Sequence, residues 1–377
     1  MNELEHLLSD LVAINSINPD LIPDAPGEAN IADYIARWMM AAGLEVIVED
    51  ALPGRPNVIG IARGSGGGRV LLLNGHVDTV GVTGMDKPFQ SRVEGGRMYG
   101  RGAYDMKGGL AAAMAAAARA RSHNLRGDVI VTAVADEEYA GLGTIAIAER
   151  YRADGAIVAE PTELELVVAH KGFVWFDVET IGVAAHGSRP HLGVDAIAKM
   201  GHFLVELERL GQELDARPPH PLLGVASIHA SIIQGGQEMS SYPERCILSV
   251  ERRTLPGETA AAVEAELKAI ISVIGETDPT FVATARRGLE RLPLETPADA
   301  GIFRVTQRVV ENVTNKPCTP AGVSFWTDAA SLWQAGIPTV LFGPLGAGAH
   351  AAEEWVDLAS VNQCAEVYFQ TALEFCR

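Results

Sequence analysis

The run Val70-Leu71-Leu72-Leu73-Asn74-Gly75-His76-Val77-Asp78-Thr79 decides how the chain is read. Its four consecutive apolar residues predict a strand buried on both faces. At the polar end, where such a strand runs out, a histidine and a carboxylate stand two residues apart, as a metal ligand and its partner would. Further ligands must then come from elsewhere in the chain.

Similar apolar runs recur at residues 129 to 135, 156 to 159 and 338 to 342, and helical patterns follow two of these strands, at residues 110 to 119 (alanine-rich) and 143 to 150. Strands alternating with helices at this period predict an α/β domain with a mostly parallel sheet. Upstream, residues 3 to 14 and 30 to 43 carry apolar positions at helical spacing, and residues 45 to 48 and 57 to 62 resemble short strands. The glycines 64 to 68 precede a strand instead of following one, so a tight hairpin is expected there and a phosphate loop is not.

Between residues 173 and 286 the pattern changes. Residues 173 to 183 alternate apolar and polar side chains, followed by a helix at 194 to 210, strands at 226 to 233 and 246 to 250, and a helix at 261 to 274. This order predicts a smaller α+β domain, residues 173–286, inserted into a catalytic domain of residues 1–172 and 287–377. A chain of 377 residues has room for two cores.

With 47% hydrophobic and 21% charged residues the composition is that of an ordinary globular protein. A net charge of -18 argues against nucleic acid and anionic membrane surfaces as partners. No apolar run reaches the ~20 residues of a membrane helix, and the first residues lack the pattern of an export signal, so a cytoplasmic location is expected. Cys246, Cys318, Cys364 and Cys376 show no metal-binding spacing and suit a reducing compartment.

Parallel sheets bind ligands at the carboxyl ends of their strands. There the chain places His76 and Asp78, then Asp136-Glu137-Glu138, then Glu160, and finally His350 beyond Gly343-Pro344; Asp105 sits in the glycine-rich segment 100 to 109. Any one of these has an ordinary explanation as a helix cap, a turn or a solvated loop. Their coincidence at strand ends points to a two-metal hydrolase, because imidazole and carboxylate ligands suit Zn²⁺ and related ions and a paired site needs a shared carboxylate and a bridging water. Of two adjacent acids, one can bind metal while the other takes a proton from the water. Asp78 is placed to fix the His76 imidazole tautomer.

The segments GHVDTV (75–80), GRGAYDMKGG (100–109), ADEEYAG (135–141), EPT (160–162), AAHGSRP (184–190) and GAHAAEEWV (348–356) resemble, in order, the metallopeptidase family of acetylornithine deacetylase, succinyl-diaminopimelate desuccinylase, aminoacylase and carboxypeptidase G. The resemblance implies a catalytic domain binding two zinc (or cobalt) ions and an inserted domain that serves as lid and homodimer surface; the N/O donor set would also accept manganese. It further implies that Asp105 bridges the metals, that His76 and Glu160 complete one site and Glu138 and His350 the other, and that Glu137 is the general base. A cis peptide between Asp105 and Met106 is also implied. His186 is expected to stabilise the oxyanion from across the dimer, and Arg253 to hold a substrate carboxylate. Ser240, in Ser240-Ser241-Tyr242-Pro243, stands where many relatives have an asparagine that holds substrate, so the substrate pocket is not copied.

The expected activity is hydrolysis of the amide of an N-acyl amino acid. A dipeptidase or carboxypeptidase on the same site is the alternative, and a non-catalytic metabolite-binding homologue the reading from another class.

Overall fold

The computed structural model describes residues 1–377. The chain divides into two compact units: Met1–Val168 with Thr296–Ala321 and Thr327–Arg377, and Ala169–Glu295 with Gly322–Trp326.

In the first unit the strands are ordered Glu45–Leu52, Arg55–Ala62, Val129–Val134, Leu71–His76, Gly155–Val158 and Thr339–Leu341, followed by Leu166–His170, whose last two residues are assigned to the second unit. Leu71–His76 runs parallel to both Val129–Val134 and Gly155–Val158, and Thr339–Leu341 is parallel to the latter. The first two strands instead form an antiparallel hairpin, of which Arg55–Ala62 lies antiparallel to Val129–Val134. Every residue of Leu71–His76, Val129–Val134 and Gly155–Val158 is buried, as a sheet covered by helices on both faces requires.

Helix Gly108–Ala120 is buried along nearly its whole length and packs on Leu358–Phe375. Small side chains allow it to lie close to the sheet. A Cβ on Gly109 would come within 1.9 Å of the Ala159 carbonyl oxygen, at the end of the Gly155–Val158 strand. A separate small sheet joins Arg92–Glu94, Arg97–Tyr99, Trp355–Asp357 and Gly346–Ala347. It ties the segment leading into Asp105 to the hairpin that carries His350.

The glycine run 64–68 does not close a hairpin. The strands on either side of it, Arg55–Ala62 and Leu71–His76, are separated in the sheet by Val129–Val134. The run lies instead against the backbone of 125–127, where Ser65 and Gly66 donate to the carbonyls of Leu125 and Arg126 at 2.8 Å. A Cβ on Gly68 would meet the Gly127 nitrogen at 2.3 Å, so close backbone approach explains the glycine.

The second unit is a four-stranded antiparallel sheet ordered Ser227–Gly235, Arg245–Thr254, Gly172–Ile181 and Val282–Arg291. Val174, Phe176, Val178, Leu248 and Val250 face helices Ala196–Asp215 and Ala260–Thr277, whose Phe203, Leu207 and Leu267 complete the core. The boundary at 286 read from the sequence would cut Val282–Arg291 in half. That strand carries the exposed charges Arg286 and Arg287 and the half-buried Glu290, which hide the alternation of a strand.

All four cysteines are buried and unpaired. No helix is long and apolar enough to cross a membrane.

Two glycine substitutions separate close packing from mere helix propensity. Gly109→Ala should lower the unfolding free energy by about 1 to 3 kcal/mol through overpacking. Gly275→Ala, in helix Ala260–Thr277 with nothing within 4 Å of a new Cβ, should raise it by roughly 0.5 to 1 kcal/mol. Denaturant unfolding of the two variants checks both signs.

Candidate metal centre

His76 is the last residue of its strand and is 1% exposed. Its Nδ1 lies 2.9 Å from the backbone carbonyl of Asp78 and donates to it, so that in the neutral imidazole Nε2 is the nitrogen available to a metal. That Nε2 lies 3.1 Å from Asp105 Oδ1, 3.9 Å from Glu160 Oε1 and 4.0 Å from Glu137 Oε2. On the other side, His350 Nε2 lies 3.4 Å from Asp105 Oδ2 and 3.0 Å from Glu138 Oε2. One carboxylate, Asp105, thus turns an oxygen to each histidine. The Asp105–Met106 peptide is cis.

The backbone anchors of these side chains are also carboxylates. Glu354, buried, accepts hydrogen bonds from the backbone N–H groups of Gly102 (3.0 Å), Tyr104 (2.9 Å) and Asp105 (3.1 Å), and from Arg101 Nη1 at 2.6 Å. Asp78 does the same for the neighbouring loop, accepting from the N–H groups of Glu137 (3.1 Å) and Glu138 (3.2 Å). The sequence reading assigned the tautomer of His76 to the Asp78 carboxylate. Its main-chain carbonyl takes that role, while the nearer carboxylate oxygen is 3.6 Å from Nδ1. Because the strand has just ended, that carbonyl has no sheet partner to compete with the imidazole.

The electrostatics describe a demand for positive charge. Burial, reinforced by Glu160, pushes the Glu137 carboxyl well above the usual range. Burial does the same to Glu160, and Glu138 rises to about 6 through burial and the charge of Asp105. Burial would lower the proton affinity of His76, but the Asp105 hydrogen bond and the charges of Glu160 and Glu137 hold it well above its ordinary value. The His350 imidazole, bonded to Asp105 and Glu138, is raised to about 10. Burial would also raise Asp105, yet the hydrogen bonds from His350 and His76 hold it low. Crowded carboxyls pushed up by burial, beside imidazoles raised by those same carboxyls, make a site that a multivalent cation would stabilise. The donor atoms fit one: those of His76, Glu137 and Glu160, and again those of His76, Asp105 and Glu138, lie within 4.8 Å of one another. Distance alone gives Glu137 a ligand's place as readily as a base's.

In this unit the structure brings together His76, Asp78, Asp105, Glu137, Glu138, Glu160 and His350. The remaining three residues singled out in the sequence belong to the second unit. His186 is exposed, with Nδ1 2.8 Å from Ser188 Oγ, and its strand-like segment bridges Ser241, while Gly187 N–H donates to the Ser240 carbonyl at 2.7 Å. His186 and Ser240 are therefore neighbours. Arg253 belongs to another cluster, bonded to Glu251 at 2.7 Å and standing 5.3 Å over the Phe173 ring.

The profile of peptidase family M20/M25/M40 matches residues 72–374. The chain belongs to that family. Acetylornithine deacetylase of Myxococcus xanthus is 31% identical over 389 residues, covering 99% of this chain and 97% of the relative. Among solved structures, aminopeptidase PepT of Bacillus cereus superposes with a TM-score of 0.81 at 19% identity, covering 99% of this chain and 98% of that one. The YXEP protein of Bacillus subtilis, described as a dinuclear metal-binding peptidase of the M20 family, does so with 0.76 at 16% identity, covering 99% and 97%. The fold is that of the M20 family, and the protein is an amide-bond hydrolase.

Sequence reasoning missed Glu354, half of the doubled acid Glu353-Glu354, which reads as a solvated loop. The available signal was its place inside GAHAAEEWV (348–356), four residues after His350.

His76 and Asp78 should fail differently. His76→Ala should empty one metal position, whereas Asp78→Ala should retain metal but weaken binding by ~10- to 100-fold, as loss of a supporting hydrogen-bond partner does. Metal content by mass spectrometry and affinity by calorimetry distinguish the outcomes.

Proposed function

We propose that this chain is a two-metal deacylase that hydrolyses the amide of an N-acyl amino acid. The observation that carries the reading is the Asp105 carboxylate, with one oxygen 3.1 Å from His76 and the other 3.4 Å from His350. His76 and Glu160 would hold one ion with it, and His350 and Glu138 the second. Zinc is the choice best suited to this N/O set, with cobalt or manganese as substitutes. Similarity to a protein named acetylornithine deacetylase over 99% of the chain supports the N-acyl amino acid as substrate.

When bound, the ions supply Lewis acidity toward the scissile carbonyl and toward water. The protein's own groups do the rest. Glu137, whose carboxyl is held high by burial, removes a proton from water at its carboxylate oxygen and returns it to the nitrogen of the leaving amine. His186 donates a hydrogen bond to the carbonyl oxygen as negative charge builds there. Arg253 presents a planar fork to the substrate carboxylate, and Ser240, beside His186, contributes to the substrate wall.

The second unit suits a homodimer. Its edge strand Ser227–Gly235 pairs on one side only and exposes Ile232 and Ile233. Four buried, unpaired thiols favour a reducing compartment such as the cytoplasm.

Glu137→Gln should reduce turnover by ~100-fold or more while metal content stays at the wild-type level; an active variant refutes the base assignment. Assay of N-acetyl amino acids beside dipeptides, with chelation and metal re-addition, tests the substrate. Preference for dipeptides would make the enzyme a peptidase, and indifference to chelation would remove the metal from the reaction. His186→Ala should lose activity, and mixing it with Glu137→Gln should restore part of it if the histidine serves the partner subunit.

A further inference from the structure

Behind Glu137 and Glu138 lies a buried polar network that the reading above does not use. The Asn18 side-chain amide donates to Asp78 Oδ2 at 2.8 Å and to Asp136 Oδ1 at 3.3 Å, while its oxygen accepts from the Asp20 N–H at 2.9 Å. Arg55 donates to the same Asp136 oxygen at 3.1 Å. The guanidinium also grips Glu28 with two nitrogens, one at 2.8 Å, and pairs with Asp20. Asn18, Glu28, Arg55, Asp78 and Asp136 are all buried.

Asp136 occupies a costly conformation. Its φ is +70°, in the left-handed region that costs a non-glycine residue about 1 to 2 kcal/mol. Its carbonyl closes the turn by accepting from the N–H groups of Ala140 (3.1 Å) and Gly141 (2.6 Å). Asp78, one step away, accepts the N–H groups of Glu137 and Glu138. The turn that aims those two side chains is thus held by two aspartates, and Asn18 is the only side chain that donates to both of their carboxylates. Two buried carboxylates sharing a neutral amide need a cation behind them, and Arg55 supplies it.

We propose that Asn18 and Arg55 are positioning residues for the Glu137–Glu138 turn, acting through the Asp78 and Asp136 carboxylates. That the two glutamates perform chemistry rests on the function proposed above. That their backbone is held in this way does not.

The test therefore begins on metal-free protein. Asn18→Leu removes the donor while keeping the number and branching of the side-chain heavy atoms. Arg55→Lys keeps the charge but cannot hold Glu28 with two nitrogens while also reaching Asp136. Hydrogen–deuterium exchange of the peptide spanning 135–142 should accelerate by ~10-fold or more in both variants, as loss of charge-assisted hydrogen bonds predicts, with the rest of the first unit unchanged. Zn²⁺ calorimetry should then show ~10- to 100-fold weaker binding, and kcat should fall while KM moves little. Unchanged exchange at 135–142, or acceleration spread evenly over the unit with a lowered Tm, overturns the proposal and leaves the network a stability element. A wild-type protein that binds no Zn²⁺ overturns the metal reading instead, and the exchange data still decide this one.

Discussion

Mutual repulsion among crowded, buried and half-buried carboxylates is the constraint on which the structure turns. Asp105, Glu137, Glu138 and Glu160 crowd the carboxyl edge of the sheet, with Asp328 raised to about 7 by burial close behind. In a medium of low dielectric such a cluster is not tolerable without compensation. The protein distributes that compensation in layers. Backbone N–H groups are spent on Asp78 and Glu354, and a guanidinium on Asp136. The innermost acids receive only imidazoles, so their remaining lone pairs stay directed inward. The fold thus stores an electrostatic deficit at one place, as functional sites do at a cost in stability.

The backbone carries the same signature. Non-glycine residues adopt left-handed φ at Asp136, at His350, and at Glu163 and Leu164 just beyond Glu160. His350 belongs to the candidate metal centre, Asp136 adjoins it, and Glu163 and Leu164 follow Glu160 by three and four residues, while Asp24, Lys87, Asn124 and Asn315 adopt the same conformation elsewhere in the chain. Strain of this kind persists only where surrounding contacts over-determine it. Around Asp136 those contacts are explicit: a neutral amide, a guanidinium and three backbone N–H groups. Direction of the side chains is therefore set by the loops, and position by the strand ends.

Legibility in the sequence followed the length and patterning of each element. The central strands, the alanine helix and the acids at strand ends could be read because buried runs and strand termini leave a local mark. His76, Asp105, Glu137, Glu138, Glu160 and His350 converge as that pattern implied. The Asp78 carboxylate could not be separated from its own carbonyl, since both lie on one residue. Edge strand Val282–Arg291 was invisible past residue 286 because solvent-facing edges are charged. The small sheet of Arg92–Glu94, Arg97–Tyr99, Trp355–Asp357 and Gly346–Ala347 was missed altogether, since strands of two or three residues have no period to detect. The glycines at 64 to 68 misled, since close approach and turn formation select the same residue.

That small sheet has a consequence for how the centre comes into being. Glu354 holds the backbone of Asp105 across 249 residues of sequence, and the hairpin carrying His350 is pinned beside it. Loop closure of this span is slow relative to local helix formation. During synthesis, the glycine-rich segment emerges long before the carboxylate that will seat it. Assembly of the candidate metal centre is consequently a late event in the life of each molecule, gated by the arrival of residues 346–357, and any chain released before they emerge would carry His76 and Glu160 without His350.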